Sequence, residues 1–474
     1  MGIVLQLVII LVFSYYSCYG SSSLEDPLST YYDIGDETSS VYNHAYPTYF
    51  ETIGELNRDD YFPANDDPAV SNRFSDYGDE LAADDDEVSS SDIGSPSSSL
   101  RVINVDNFGA YRNGDGTDAT EAFEKSWKQA CSTSTGAALI LVPLNKRYLL
   151  KPVRFSGPCK SPITMMVYGT IEASADRDDY KKDTRHWILF QYIQNLKIEG
   201  GGTFNGKGDI WWKNSCKIDK SRPCITAPTA LTFYDCQNLR VKNLRIRDSQ
   251  QIHTSFEKCL DVEAINLLIS APGLSPNTDG IHVGNTRRMQ IRNCVIRTGD
   301  DCISIVSGSE NVHATDITCG PGHGISIGSL GAGRSEAHVS NILVDTARLT
   351  GTTNGVRIKT WQGGKGKADN IIFQNILMQN VTNPIIVNQN YCDQADPCNE
   401  QESAVHVSNV VYKNIKGTSN TAVAVKFDCS KSFPCSGVML QDVNLVRVGG
   451  TQAAKALCKN VKFAQLGKVS PKCP

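Results

Sequence analysis

Residues 239–246 read Leu-Arg-Val-Lys-Asn-Leu-Arg-Ile, and this pattern decides the fold. Apolar residues stand at its first, third, sixth and eighth positions, so an alternation of period two is interrupted once in the middle. Period two is typical of strands, and the change of offset predicts two short strands joined by a bend. The pattern recurs along the chain, with copies that begin at Leu196, Val262, Met289, Val312, Ile342, Ile371, Val410 and Val438.

A third strand follows in each repeat, as at residues 280–283 (Gly-Ile-His-Val) and 302–305 (Cys-Ile-Ser-Ile). Successive repeats begin 23 to 43 residues apart, which is the spacing of a solenoid. Three strands per coil indicate a parallel β-helix, because a coil can bury its apolar face only against its neighbours. The helix-like spacing of residues 117–130 predicts a short N-terminal helix that caps the open end. The expected fold is therefore all-β.

Charge is divided unevenly along the chain. Residues 21–100 hold 19 acidic and two basic side chains, whereas residues 101–474 hold 32 acidic and 44 basic ones. A basic domain tends to bind polyanions. The acidic segment has no sustained apolar period, so we expect a disordered pro-region at 21–100. It could be a solvated tail, or it could mask a basic groove until it is cleaved.

The N-terminus and the cysteines both predict secretion. Residues 1–20 hold no charged side chain, and their apolar run is too short to span a bilayer, so we interpret them as a signal peptide. Fifteen of the 16 cysteines lie at residue 131 or beyond, several of them in close pairs typical of secreted chains. Asn380 begins the single Asn-x-Ser/Thr sequon and is the candidate glycosylation site.

Alignment of the third strands brings polar residues together. With Ile281, Ile303, Ile325 and Val356 at one inward position, the residues two places earlier are Asp279, Asp301, His323 and Asn354. Equivalent positions in a parallel coil stack about 4.8 Å apart, so we expect one column with Asp300 beside it. Alternation places Arg357 and Lys359 together on the outward face of the next coil.

This constellation suits glycosidic chemistry. Carboxylates stacked this closely repel each other, which raises at least one pKa and keeps a proton available. One protonated and one ionised carboxyl group are the minimum for cleaving a glycosidic bond. Arg357 and Lys359 could hold a carboxylate on the substrate. There are simpler interpretations. Each Asp or His side chain could hydrogen-bond the backbone of its own turn, and Arg357 and Lys359 could lie on a solvent-exposed strand face.

Four ordered motifs resemble the signature of polygalacturonases, glycoside hydrolase family 28. They are Asn277-Thr278-Asp279-Gly280, Gly299-Asp300-Asp301-Cys302, Gly322-His323-Gly324 and Arg357-Ile358-Lys359. The resemblance implies a right-handed parallel β-helix of the pectin-lyase-like kind, over residues 101–474. It implies hydrolysis of the α-1,4 bonds of pectin with inversion, by a monomer secreted to the plant cell wall. Its closest likeness is to enzymes of fruit softening, abscission and pod opening.

The resemblance also implies roles for single residues. Asp300 matches the general acid, Asp279 and Asp301 match the pair that holds and activates water, and His323 matches the residue that tunes the acid. The implied substrate-binding residues are Arg357, Lys359, Tyr391 and Asn277. No metal, cofactor, nucleic acid or membrane partner is implied for the mature protein.

Cysteine pairing follows in part from the same resemblance. A Cys302–Cys319 bridge is common in the family, and we expect Cys131–Cys159 to fasten the cap. Cys392 with Cys398, and Cys429 with Cys435, are close enough in sequence to pair. Free thiols are expected among the three cysteines at buried strand positions, which are Cys236, Cys259 and Cys294.

Other functions remain open at this point. A pectate lyase would share the solenoid but needs Ca²⁺ and an arginine base. A non-catalytic pectin-binding wall protein would not need the intact acidic set. Among hydrolases, we expect endo-action, with exo-polygalacturonase and rhamnogalacturonan hydrolase as the alternatives.

Overall fold

A computed structural model of the chain describes residues 100–110, 117–392, 398, 404–449 and 453–474. The predicted signal peptide and all but the last residue of the predicted pro-region lie outside the described residues. The fold is the predicted right-handed parallel β-helix, in which strands of successive coils pair side by side in two long sheets. None of the helices in the described ranges is both long and apolar enough to cross a membrane.

Two sheets form the walls of the solenoid. The larger has 16 strands: Arg101–Asn104, Ala138–Val142, Arg147–Leu150, Ile163–Val167, Thr170–Ala173, Leu196–Glu199, Thr203–Asn205, Gln237–Arg247, Leu260–Ser270, Arg287–Arg297, Glu310–Cys319, Glu336–Thr350, Lys365–Val381, His406–Ser419, Cys435–Arg447 and Val461–Leu466. The smaller has 11: Val153–Ser156, His186–Gln191, Thr229–Tyr234, Thr254–Glu257, Ile281–Gly284, Ile303–Ile305, Ile325–Leu330, Asn354–Trp361, Asn383–Tyr391, Val423–Asp428 and Lys455–Lys459.

The predicted repeat is the register of the larger sheet. Leu239 pairs with Val262, which pairs with Met289, and the series continues through Val312, Ile342, Ile371, Val410 and Val438. All eight residues are at most 1% exposed, so they form one row of the core.

The expected bend is present, but from Gln237 onward the two short strands of each coil run as one long kinked strand. Asn243, Asn266 and Asn293 stand at the kink with φ between 51° and 54°. Asparagine tolerates this left-handed conformation better than most residues. Asn266 Nδ2 donates to Asn243 Oδ1 at 2.9 Å, and Asn293 Nδ2 donates to Asn266 Oδ1 at 2.8 Å. This ladder of side chains carries the pairing across the kink.

The predicted capping helix spans Thr120–Ser132, slightly later than residues 117–130. Asp118 Oδ1 accepts a hydrogen bond from the Thr120 amide at 2.9 Å, which satisfies a free N–H of the first turn from outside the helix. Phe123 and Trp127 lie on the buried face of the helix and cover the first coils. The four-residue helix Asp209–Trp212 and the 3-10 turns Val105–Phe108, Arg177–Tyr180 and Ala332–Arg334 were not predicted.

Six disulfides join described cysteines. They link Cys131 with Cys159, Cys216 with Cys224, Cys302 with Cys319, Cys392 with Cys398, Cys429 with Cys435, and Cys458 with Cys473. Cys236, Cys259 and Cys294 are free and buried within the β-helix.

Aromatic side chains stack along the core from coil to coil. Phe155, Phe190, Phe233 and Phe256 form a row with successive ring-centroid distances of 5.1, 5.3 and 5.0 Å. All four are at most 1% exposed. Each ring therefore fills space that belongs to two neighbouring coils.

Replacing one ring of this row should leave a cavity between coils. Phe233→Ala should lower the free energy of unfolding by about 3–5 kcal/mol, measured by reversible denaturant unfolding. Phe433→Ala is the matched control, because Phe433 is 42% exposed. We expect that control to change stability by less than about 0.5 kcal/mol. Equal losses in the two variants would contradict the continuous aromatic core.

Candidate active site

The smaller sheet brings the predicted polar residues to one edge. Ile281, Ile303, Ile325 and Val356 pair in succession, which confirms the alignment used to find them. Three candidate site residues lie in the turns, each two residues before the inward-pointing isoleucine of its strand, where the chain enters that strand. These are Asp279, Asp301 and His323.

The His323 side chain contacts Asp300 on the preceding coil. Its Nδ1 lies 2.9 Å from Asp300 Oδ1, and the side-chain oxygens and ring nitrogen of Asp300, Asp301 and His323 lie within 4.8 Å of one another. The neighbouring Gly324 has φ +85°, and a Cβ there would lie 2.0 Å from the Asn354 carbonyl oxygen. Only glycine fits at this position, and the backbone it allows forms the turn that carries the histidine.

Asp300 and Asp301 are held by different groups. Asp300 Oδ1 accepts a hydrogen bond from the Asp301 amide at 2.7 Å, and Asn277 Nδ2 lies 3.5 Å from Asp300 Oδ2. Asp301 accepts from Ser326 Oγ at 2.8 Å and lies 3.2 Å from Lys359 Nζ. The two carboxyl side chains are only 7% and 3% exposed. A buried carboxylate needs such partners to offset the loss of water.

Asp279 shows the raised pKa that stacked carboxylates were expected to produce. Burial raises the pKa of its carboxyl well above the usual range, and the negative charges of Asp300 and Asp301 raise it further. Ser304 Oγ donates to Asp279 Oδ2 at 2.7 Å and acts in the opposite direction. Asp279 therefore keeps its proton to a higher pH than an isolated carboxyl group does.

Three of the four predicted substrate-binding residues, Arg357, Lys359 and Tyr391, gather on the C-terminal side of the carboxyl groups. Arg357 Cζ lies 5.3 Å and Lys359 Nζ 5.8 Å from the centre of the Tyr391 ring. Trp361 packs edge-on against the same ring at 5.1 Å. Within the part of the chain that the structure describes, Arg357 Nε and Trp361 Nε1 are buried and have no hydrogen-bond partner.

A second cavity opens on the N-terminal side, next to Asn277. It is lined by Arg185, Trp211, Lys217 and Gln251, among others. The loop closed by the Cys216–Cys224 disulfide forms part of its wall. The groove therefore offers cationic side chains on both sides of the carboxyl groups.

Other predicted residues lie elsewhere. Asn354 stacks on the next coil, where it accepts a hydrogen bond from Asn383 Nδ2 at 3.2 Å. Asn380 is exposed near the end of the strand Lys365–Val381, and the Cys131–Cys159 bridge joins the capping helix to the first coils. The Cys302–Cys319 bridge starts at the residue after Asp301, so it anchors the turn that carries the two adjacent carboxyl groups.

Sequence reasoning missed four side chains of this site. They are Ser304, Ser326, His282 and Trp361. The first three stand one residue after an inward reference, as Arg357 does. The alternation that selected Arg357 would have found them too, had it been applied to the preceding coils.

Three comparisons place the chain among known proteins. The model of "Glycosyl hydrolases family 28" matches residues 131–471. A polygalacturonase of Malus domestica is 52% identical over 98% of this chain and 97% of its own, and one of Persea americana is 60% identical over 78% and 79%. The endo-xylogalacturonan hydrolase of Aspergillus tubingensis superposes with a TM-score of 0.67 at 23% identity, covering 78% of this chain and 99% of its own.

The solved structure shares the fold, and the sequence matches show the family. The family model spans most of the described β-helix, including all four motifs around Asp279, Asp300, His323 and Lys359. The chain belongs to glycosyl hydrolases family 28, and its relatives there include plant polygalacturonases.

Proposed function

We propose that this glycoside hydrolase cleaves the α-1,4-galacturonosyl bonds of polygalacturonate with inversion of the anomeric centre. The observation that carries the proposal is the cluster of Asp279, Asp300 and Asp301, buried beside Lys359 and Arg357. The carboxyl groups supply an acid and a base. The cations suit a sugar that carries a carboxylate of its own.

The chemistry divides between the carboxyl groups. Asp300, tuned by His323, protonates the oxygen of the leaving sugar. Asp279 and Asp301 hold a water on the opposite face of the sugar ring and accept its proton. Ser304 donates a hydrogen bond to Asp279, and Asp301 contacts both Ser326 and the Lys359 ammonium, so each of the two bases has a polar partner in the chain.

The substrate carboxylate is recognised on the C-terminal side. Arg357 lies over the Tyr391 ring, and its Nε has no hydrogen-bond partner among the described residues. A guanidinium with an unused donor can bind a carboxylate directly. Rhamnogalacturonan would bind Arg357 and Lys359 less tightly, because every second sugar in it lacks a carboxylate.

Loss of the acid should abolish turnover and leave the fold intact. Asp300→Asn is nearly isosteric, and we expect turnover on polygalacturonate, measured as new reducing ends, to fall about 10²–10⁴-fold. Asp316→Asn is the matched control, because Asp316 is exposed at the kink of the strand Glu310–Cys319 in the larger sheet. More than a tenth of the original turnover in a folded Asp300→Asn protein would refute the assignment. Products that absorb at the wavelength of an unsaturated sugar would instead indicate a lyase.

We further propose endo-action. Cations line the groove on both sides of the carboxyl groups, with Arg185 and Lys217 on one side and Arg357 and Lys359 on the other. A long polyanion can then lie across the site with sugars bound on both sides. Early digestion should release oligomers of mixed length and lower the viscosity faster than reducing ends appear. Galacturonate as the sole early product would show that the Cys216–Cys224 loop closes the groove and that action is exo.

We also propose that the protein is secreted to the cell wall, that residues 1–20 are its signal peptide, and that residues 21–100 are a pro-region that occupies the basic groove. The alignment with the Malus domestica relative covers nearly the whole chain, so that relative has an N-terminal segment that aligns with this one. A chain beginning at Arg101 should have a lower KM and a steeper salt dependence than one beginning at Ser21, since screening weakens such attraction over about 8 Å at 0.15 M. Equal kinetics at low ionic strength would rule out masking. N-terminal sequencing of the secreted protein checks both boundaries.

A further inference from the structure

A column of polar side chains runs along the floor of the groove. The register places Ser255, His282, Ser304 and Ser326 at equivalent positions on four successive strands, each one residue after a buried core residue. Because side chains alternate along a strand, all four point out of the core toward the groove. The column lies directly beside the carboxyl groups.

Two serines of this column meet the carboxyl groups with the same geometry. Ser304 Oγ donates to Asp279 at 2.7 Å, and Ser326 Oγ donates to Asp301 at 2.8 Å. In both pairs the serine lies on the coil that follows the aspartate. The pairs differ in their second partner, since Asp301 also has the Lys359 ammonium at 3.2 Å. In the Asp279–Ser304 pair, the further partner is His282, which contacts the serine oxygen.

His282 determines which way the Ser304 hydroxyl points. Its Nδ1 lies 2.8 Å from Ser304 Oγ. A hydroxyl has a single proton, and this one is donated to Asp279, so the serine oxygen must accept a hydrogen bond from Nδ1–H. The His282 side chain is 13% exposed, which leaves the ring little freedom to turn away.

Glu257 holds the far side of the ring. Its Oε1 lies 3.6 Å from His282 Nε2 and accepts a hydrogen bond from Ser255 Oγ at 3.0 Å. Gly284, which pairs with Glu257, leaves the space for this carboxylate, because a Cβ there would lie 2.5 Å from Glu257 Oε2. Glu257, His282, Ser304 and Asp279 thus form one chain of polar contacts that ends on a carboxyl group of the site.

We propose that His282 and Glu257 are positioning residues, which orient the Ser304 hydroxyl toward Asp279 so that Asp279 can accept the proton of the attacking water. The inference rests on the proposed function, in which Asp279 activates that water. Without the donated hydrogen bond, the carboxyl group of Asp279 would keep its proton to a higher pH and could not act as a base.

The hydrogen bond from His282 to Ser304 does not depend on the charge of His282, whereas the contact with Glu257 requires a proton on Nε2. Burial lowers the pKa of the imidazole, and Glu257 and Asp301 act against that effect, whereas Lys359 and Arg185 add to it. The neutral ring protonated at Nδ1 and the doubly protonated ring both donate to Ser304. The doubly protonated ring adds an ion pair with Glu257. The orientation of Ser304 therefore holds as the pH falls.

The test is the pH dependence of kcat/KM on polygalacturonate for full-length variants. Ser304→Ala and His282→Leu should each move the acidic limb of the profile upward by about one pH unit, the effect of one hydrogen bond to a charged group. His282→Asn should stay near the original profile, because its amide Nδ2 takes the place of Nδ1. The double variant Ser304→Ala/His282→Leu should shift no further than Ser304→Ala alone.

His313→Leu is the matched control. His313 is half-buried on the outer face of the larger sheet, where its Nδ1 lies 3.3 Å from Gln290 Nε2. Glu257→Gln, at a side chain that is 30% exposed, tests the same chain of contacts if the other variants unfold, and a smaller upward shift is expected.

Three outcomes would overturn the inference. They are an unshifted acidic limb in folded Ser304→Ala, a shift in His282→Asn as large as that in His282→Leu, and, if neither Ser304→Ala nor His282→Leu folds, an unshifted limb in Glu257→Gln. Each of them leaves the proposed function standing, because the unsubstituted protein still hydrolyses polygalacturonate. No hydrolysis by the unsubstituted protein would overturn the function and this inference together.

Discussion

The lateral register of the parallel coils is the constraint on which the rest of this structure depends. Strands of neighbouring coils are fixed about 4.8 Å apart by their backbone hydrogen bonds. A slip of one residue would exchange every inward and outward side chain. The row from Leu239 to Val438 keeps its register through eight coils of the larger sheet. The pairing of Ile281, Ile303, Ile325 and Val356 in the smaller sheet aligns the residues of the groove in the same way.

The same register forces charges together in the groove. Asp279 and Asp301 enter equivalent strands, and Asp300 follows from its place beside Asp301. Their closeness and burial raise the pKa of Asp279, an arrangement that a structure would avoid unless function required it. The cost is offset locally, since each of the two stacked aspartates accepts a hydrogen bond from a serine of the next coil. Stability and reactivity are thus set by the same few contacts.

Rigid strands carry most of the groups around the carboxyl cluster. Ser304, Ser326, Arg357 and Lys359 all stand within strands of the smaller sheet, and the Cys302–Cys319 bridge anchors the adjoining turn. Side chains on strands are positioned more precisely than side chains on loops. Specificity for substrate length has a different basis, because the wall of the N-terminal cavity comes partly from the loop between the short helix Asp209–Trp212 and the strand Thr229–Tyr234.

The sequence by itself determined the solenoid, the core row and the composition of the groove. Periodicity is a local property of the chain, so the repeat starting at Leu239 and the alignment of Ile281, Ile303 and Ile325 could be predicted from spacing alone. The four motifs added the family. The capping helix was predicted from its apolar spacing, although its first residue depends on the side chain of Asp118.

Only the tertiary structure decided where single side chains turn. His323 meets Asp300 because the glycines beside it adopt positive φ values that sequence spacing does not reveal. Trp361 lies opposite Tyr391 because the strand register shifts after Lys359, so counting residues in steps of two fails there. The hydrogen bonds of Ser304 and Ser326 join residues 25 positions apart in sequence, one coil from the next. Such contacts depend on backbone dihedrals and on stacking between coils, which a one-dimensional pattern does not contain.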